Sequence, residues 1–595
     1  MPAPVRYSVA PADPRAHRFA VTCVVSKPDA AGQVFHLPSW LRGSYLVRDF
    51  SRHVQGLQAS GKDGSITITR LDKRSFRCAP VAGPLTLEYS VYAYDDSVRK
   101  AYLDTQRGFF NGSSLFYCPA GFERSGFELE IQPPDDADCR NWKLATTLTA
   151  KKIHKDGFGV YIAPDYEELI DHPVELGRFE RLDFNVDGIP HALVLSGRYE
   201  LDRERVTRDL AKICHVEREL FGQQPKLDQY LFLSNVTGSG YGGLEHRSST
   251  ALICSRNHLP QEGADKIGKD YRGFLGLCSH EYFHLWNVKR ITALRFLESD
   301  LSAEAYTQDL WHYEGVTSYY DDLLLLRAGL LDSASYLDIV AENATRLSRT
   351  PGRKLHTLAD ASFEAWIKFY QPDENTPNAT VSYYVKGGLA AMCLDLTLRL
   401  KSGKTLDDVM RALWRRHGAK NIGVPEGGLE AIAQEISGLN LRPLFDRMLR
   451  STQELPLVKL LAEFGVEAKQ RTALSDSDSG GRVSGEPARS ALGLKLKAGE
   501  LRVAQVQSGS PAMQADVCVN DVLVALDGLR VTPANWAAQQ AKLLPGKRYE
   551  LHLFHGDELR TKIITPAKPP YDTWTLTLAD VSGDKLQRRK AWLGA

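Results

Sequence analysis

The chain has 595 residues, 43% of them hydrophobic and 25% charged, and its 74 basic and 73 acidic side chains leave a formal net charge of +1. A chain of this length exceeds what one hydrophobic core holds, so roughly two to four domains are expected. The balanced charge gives no drive toward nucleic acid or an anionic membrane surface, and the composition is globular rather than disordered.

The amino-terminal stretch MPAPVRYSVAPADPRAHRF has no apolar export segment, and no run approaches about 18 apolar residues, so the expectation is a cytoplasmic protein that neither leaves the cell nor crosses a membrane. Residues 1–180 read as an all-β domain. Ala20–Val25, Gly64–Arg70 and Leu85–Ala93 are β-branched and aromatic, with Gly, Pro and Asp between them. Residues 181–465 turn to helical periods, as in Arg203–Phe221, Tyr306–Ala328 and Gly387–Leu400, with only short strands such as Gln229–Leu233. Residues 466–488 are rich in Ser, Asp and Gly in the stretch Gln470–Pro487 and read as a linker. A compact β-rich unit is expected over 489–568, followed by a tail over 569–595. The nine cysteines form no CxxC pair and read as reduced, buried thiols; Cys278 reads as helix packing.

The segment Leu275–Arg290, LGLCSHEYFHLWNVKR, carries the chemistry. On a helix His280 and His284 share a face and present two imidazoles to one ion, while Glu281 lies close enough to take a proton from a metal-bound water. Chance yields about 0.02 copies of HExxH in such a chain. The bland alternative is a buried helix that binds nothing. A catalytic zinc takes three protein ligands, and Glu314, in Trp311–Tyr320 (WHYEGVTSYY), is the candidate third. Upstream, Gly238–His246 (GSGYGGLEH) puts Glu245 after a glycine-dense turn whose Gly242 and Gly243 let backbone approach a ligand; the alternative is an ordinary strand turn. Downstream, Tyr384 in Val381–Met392 is a candidate oxyanion donor or, alternatively, a packing residue.

Together these pieces resemble the gluzincin metallopeptidases. HEYFHLWNVKR with Gly242-Gly-Leu-Glu-His246, and the phrase Pro38-Ser-Trp-Leu-Arg-Gly-Ser-Tyr-Leu-Val-Arg-Asp49, resemble the M61 glycyl aminopeptidases. The resemblance spans nearly the whole chain. It implies a multidomain α and β protein with a thermolysin-like, mainly α catalytic domain. One Zn2+ per chain is held by His280, His284 and Glu314, with Glu281 as general base and Tyr384 on the oxyanion. Glu245 matches the glutamate that captures a free α-amine in the related M1 family, although Leu244 and His246 stand where M1 members have Met and Asn. The implied substrates are peptides with a free amino terminus and a small first residue, Gly or Ala. The carboxy-terminal unit resembles a PDZ domain, with Leu492, Gly493 and Leu494 in its carboxylate-binding loop, which implies a peptide or protein carboxy terminus as partner. Two other functions fit the same residues: an adaptor working through the PDZ-like unit with an inactive peptidase domain, and a zinc endopeptidase.

Overall fold

The computed structural model describes residues 3–264 and 266–594. It divides into two compact units, Met1–Ala305 with Leu413–Pro425, and Tyr306–Ala412 with Glu426–Ala595. Residues 181–465, expected as one domain, are therefore shared between both.

In the first unit the amino-terminal part is all-β. Its largest sheet has eight strands and runs from Thr149–Ile153 through Gly159–Ala163, Phe127–Ile131, Val5–Asp13, Arg18–Val25, Leu85–Tyr92 and Val54–Gly61 to Gly64–Ser65. Val5–Val9 pair parallel with Phe127–Ile131, while Arg18–Val25 pair antiparallel on the other side. Period-two alternation decides the buried face: Val5, Tyr7 and Val9, then Phe19, Val21, Cys23 and Val25, then Leu85, Leu87, Tyr89 and Val91, all enter one core. Two four-stranded sheets complete this part.

The middle of the chain is helical as expected, but it also contains a five-stranded mixed sheet ordered Glu180–Val186, Ile189–Gly197, Tyr230–Thr237, Ser249–Ser255, Tyr241–Glu245. These strands run to nine residues, longer than the short ones expected. Strand Tyr230–Thr237 is buried continuously over its first five residues, and a continuous apolar run has no period to separate strand from helix. Helix Arg203–Phe221 is the crossover between the parallel strands Ile189–Gly197 and Tyr230–Thr237. It starts with the Asp202 carboxylate accepting from Arg205 N–H and ends at Gly222 with φ +67°.

In the second unit helix Val385–Lys401 is buried continuously from Lys386 to Leu398. Helices Val316–Arg327 and Ser333–Ser348 pack against it. Gly315 and Gly387 meet backbone to backbone, and a Cβ on Gly315 would stand 2.6 Å from Gly387 Cα.

The carboxy-terminal β-rich region has a core of its own, including Leu492, Val503, Leu551, Leu553 and Ile564. Its strands form a pair, Leu494–Leu496 with Val503–Val506, and a four-stranded sheet, Leu529–Arg530, Val522–Leu526, Tyr549–His555 and Glu558–Ile564. The expected linker and tail are different. Val466–Thr472 is a strand that pairs antiparallel with Tyr571–Leu578, and Gly583–Leu593 is a helix whose Trp592 donates to the Tyr319 hydroxyl. Neither strand buries enough apolar surface by itself to show in the sequence; each is stable only against its partner.

The rest of the expected linker is anchored by Asp478, whose carboxylate accepts from the Arg471 guanidinium and from Leu474 and Gly480 N–H. Burial pushes this carboxyl up, but those bonds outweigh it and hold the pKa at about 2. A depressed carboxylate contributes stability in full above its unfolded value near 4 and loses it as pH falls toward 2. Asp478→Asn is therefore expected to cost about 1–3 kcal/mol at pH 7. The gap from wild type should narrow between pH 4 and 2, as read by urea unfolding at each pH.

Candidate functional site

Helix Lys269–Phe283 carries the HExxH residues. His284 follows its last residue but keeps right-handed helical backbone, φ −64° and ψ −14°, so the face begun by His280 continues through it. The two imidazole centroids lie 4.6 Å apart with planes at 89°. Glu281 is buried. Cys278, on the same helix, is buried too, and burial pushes its thiol far above the nucleophilic range.

Strand Tyr241–Glu245 packs against this helix at the edge of the five-stranded sheet. It explains the glycines. A Cβ on Gly243 would overlap the Glu281 carboxylate, and Gly242 has φ +153°. Arg99 donates to Gly243 O at 3.1 Å. Gly43, with φ +97°, lies against Glu245 so closely that a Cβ would overlap that carboxylate as well. Glu245, Glu281 and His284 each place one ligand-type atom within 4.8 Å of the others. The structure thus brings Glu245, read from the glycine-rich stretch, together with Glu281 and His284 of the HExxH motif.

The turn after the helix orients His284. Its Nδ1 lies 2.8 Å from the Asn287 carbonyl, and a ring that donates there carries its lone pair on Nε2, the atom a metal would take. Val288 next to Asn287 has φ +98°, a strained value for a β-branched residue. Lys289 then reaches Asp171 at 2.6 Å, where His246 Nδ1 at 3.3 Å and Arg247 N–H at 2.9 Å also converge. Burial pushes the Asp171 carboxyl up, yet Lys289 and His246 hold it well below the usual carboxylate range. Two imidazoles on one helical face, one of them held by a backbone acceptor, are a donor set that fits a zinc ion.

In the second unit Glu314 sits in a single π-type turn, Trp311–Gly315, that runs into helix Val316–Arg327 and is buried throughout. Such turns are rare and tilt a side chain off the regular helical face. Tyr384 immediately precedes helix Val385–Lys401, with its ring against Phe369 and Tyr383 and its hydroxyl 3.4 Å from that of Tyr370. Burial first, and the Glu314 charge second, push its phenol well up, so it remains a proton donor at neutral pH. Lys386 is buried, and burial pushes its ammonium down to about 8.

In the carboxy-terminal region Gly493 has φ +72° and sits against Ser510, with its carbonyl accepting from Gln507 N–H. Leu492 O accepts from Ala512 N–H, and Leu494 pairs with Val506. A cavity of about 140 Å³ opens beside Leu492, Gly493 and Leu494, lined also by Gln540, Asp476 and Arg349.

Sequence reasoning missed Gly43, Arg99, Asp171 and Lys289. Lys289 and Gly43 lie inside the phrases that carried the family resemblance, but nothing local says what they touch. Asp171 and Arg99 have no motif signal at all, since their partners are more than 70 residues away along the chain.

Family models match two stretches: the peptidase M61 N-terminal domain over residues 6–178 and the M61 glycyl aminopeptidase domain over residues 273–390. Among solved structures, an aminopeptidase N family protein from Idiomarina loihiensis is 37% identical, with a TM-score of 0.95, over 99% of this chain and 100% of that one. An M1 zinc metallopeptidase from Deinococcus radiodurans is 14% identical, with a TM-score of 0.48, over 76% of this chain and 94% of that one. No curated protein matches the chain.

Gly243→Ala tests the close approach of strand and helix. The added methyl meets the end of a flexible side chain, so the unfolding free energy in urea should change by less than about 1 kcal/mol. Glu281 should turn away from the strand, and any turnover that depends on it should fall at least about tenfold.

Proposed function

Because the chain belongs to the M61 peptidase family, we propose that it is a zinc-dependent aminopeptidase that removes small residues, glycine and alanine foremost, from the amino terminus of peptides. The observation that carries this reading is the gathering of Glu245, Glu281 and His284 around a strand whose glycine leaves room for the Glu281 carboxylate. A second carboxylate beside the general base gives a substrate ammonium group a partner, which an endopeptidase does not need.

In this proposal His280, His284 and Glu314 hold one zinc ion. The ion, when bound, supplies Lewis acidity to the scissile carbonyl and the attacking water. Glu281 accepts the proton of that water and returns it to the nitrogen of the leaving amine. Glu245 binds the free α-ammonium and so sets the first peptide bond at the reacting groups. Gly242 and Gly243 let the substrate backbone lie along the strand edge. Tyr384 donates a hydrogen bond to the oxygen on which charge develops, and its raised pKa keeps that proton in place.

The carboxy-terminal region is proposed as a PDZ-like domain over residues 489–568, with Leu492, Gly493 and Leu494 receiving a peptide carboxylate in the adjacent cavity. A thermolysin-like, mainly α catalytic region completes the proposal. Among the described residues no helix is long and apolar enough to cross a membrane. The proposal places the enzyme in the cytoplasm, a compartment in which its nine unpaired cysteines stay reduced.

Free and acetylated glycyl and alanyl anilides, offered to zinc-loaded protein, test the reading. Only the free forms should be cleaved, and Glu281→Gln should lower turnover by about 10²–10⁴-fold while the bound zinc stays at one per chain. Equal cleavage of acetylated substrates would instead establish an endopeptidase, and no cleavage at all would favour the adaptor. Tyr384→Phe is expected to lower kcat by about 10²-fold with KM and zinc content little changed, measured on the same anilides.

A further inference from the structure

The first unit contains a cleft of about 950 Å³ that the proposed chemistry does not use. We propose that this cleft, lined by Thr147, Gln229, Arg247, Ser248, Arg290 and Asn421, is a binding site for a small oxyanion, a phosphate or a carboxylate, seated on the Arg290 guanidinium.

Local charge does not balance without such a ligand. Three cationic side chains, Arg247, Lys289 and Arg290, share two carboxylates, and both carboxylates are taken. Asp171 pairs with Lys289 at 2.6 Å, and Glu168 pairs with Arg247 and with His172, each at 3.1 Å. Among the described residues no carboxylate comes within ion-pair distance of Arg290. The rim adds nothing, because exposed Lys226 and Asp228 offset one another.

Arg290 is also held ready for a ligand. Its Nη1 donates to Leu285 O at 2.7 Å and its Nη2 to Arg247 O at 3.0 Å. A guanidinium has five N–H groups, so three remain. Burial first, and the neighbouring Arg247 charge second, push its pKa down to about 9, while Glu168 and Asp171 act in the opposite direction. The hydroxyls of Ser248 and Thr147 make the wall polar; Ser248 donates to Thr147 Oγ1 at 2.9 Å, and Thr147 lies 2.7 Å from His172 Nδ1.

The cleft adjoins the turn that orients His284. Leu285, whose carbonyl Arg290 holds, lies between His284 and the Asn287 carbonyl that accepts from its ring. An anion on Arg290 therefore stiffens that turn without touching substrate.

The test titrates inorganic phosphate, and separately N-acetylglycinate, into the zinc-loaded full chain at constant ionic strength, with binding read by calorimetry. N-acetylglycinate has a carboxylate but no free amine, so the Glu245 anchor does not contribute. At least one ligand is expected to bind, and which one does tells a free phosphate from a carboxylate source. Its Kd should rise at least about tenfold in Arg290→Gln and about threefold or more in Asn421→Asp, an exposed and nearly isosteric change that adds a repelling charge. If Arg290→Gln does not fold, Asn421→Asp decides alone. Absence of binding by either ligand, or binding with the same Kd in every folded variant, overturns the proposal; the latter result places the ion elsewhere, as on the zinc.

Discussion

The buried contact between Lys289 and Asp171 is the constraint on which the HExxH side of the protein rests. Asp171 lies at the end of the β domain's last short helix, and its carboxylate collects Lys289, His246 and the Arg247 N–H in one place. A carboxylate stripped of water is tolerable only with such partners, and loss of one of them costs several kcal/mol. That interaction holds the turn after the helix in a shape it would not take by itself, with Val288 at φ +98°. The turn in return presents the Asn287 carbonyl to His284 and fixes which ring nitrogen faces outward. Strain in one residue is thereby balanced against an ion pair a few ångströms away.

Absent side chains do as much as present ones. Gly243 and Gly43 let backbone close on Glu281 and Glu245, so the two carboxylates sit within 4.8 Å of His284 rather than being pushed apart. Like charges so near one another repel, and a cation between them, whether a metal or a substrate ammonium, relieves the repulsion. In the second unit Gly315 and Gly387 allow two backbones to touch behind Glu314 and Tyr384. Any Cβ there would separate the turn that carries the carboxylate from the helix that follows the tyrosine.

The carboxy-terminal part shows how far a polar segment depends on long-range partners. Val466–Thr472 has few apolar side chains, yet it is ordered because Tyr571–Leu578, about a hundred residues later, supplies the complementary edge. Asp478 then pins the Ser- and Asp-rich loop through Arg471 and two backbone N–H groups. A composition that reads as flexible is in fact held by one buried carboxylate.

By itself the sequence determined the β character of the first 180 residues and helical periods over Arg203–Phe221 and Gly387–Leu400, and it singled out His280, Glu281, His284, Glu245, Glu314 and Tyr384 as the candidates for chemistry. These are written locally, in two-residue and 3.6-residue periods and in the spacing of a motif on one helical face. Only the tertiary structure decided that the middle contains a five-stranded sheet, that the linker and tail pair as strands, and that Gly43, Asp171 and Lys289 support the site. A fully buried strand has no polar face to mark its period, and an ion pair or close backbone approach between residues far apart in the chain leaves no mark on either neighbourhood.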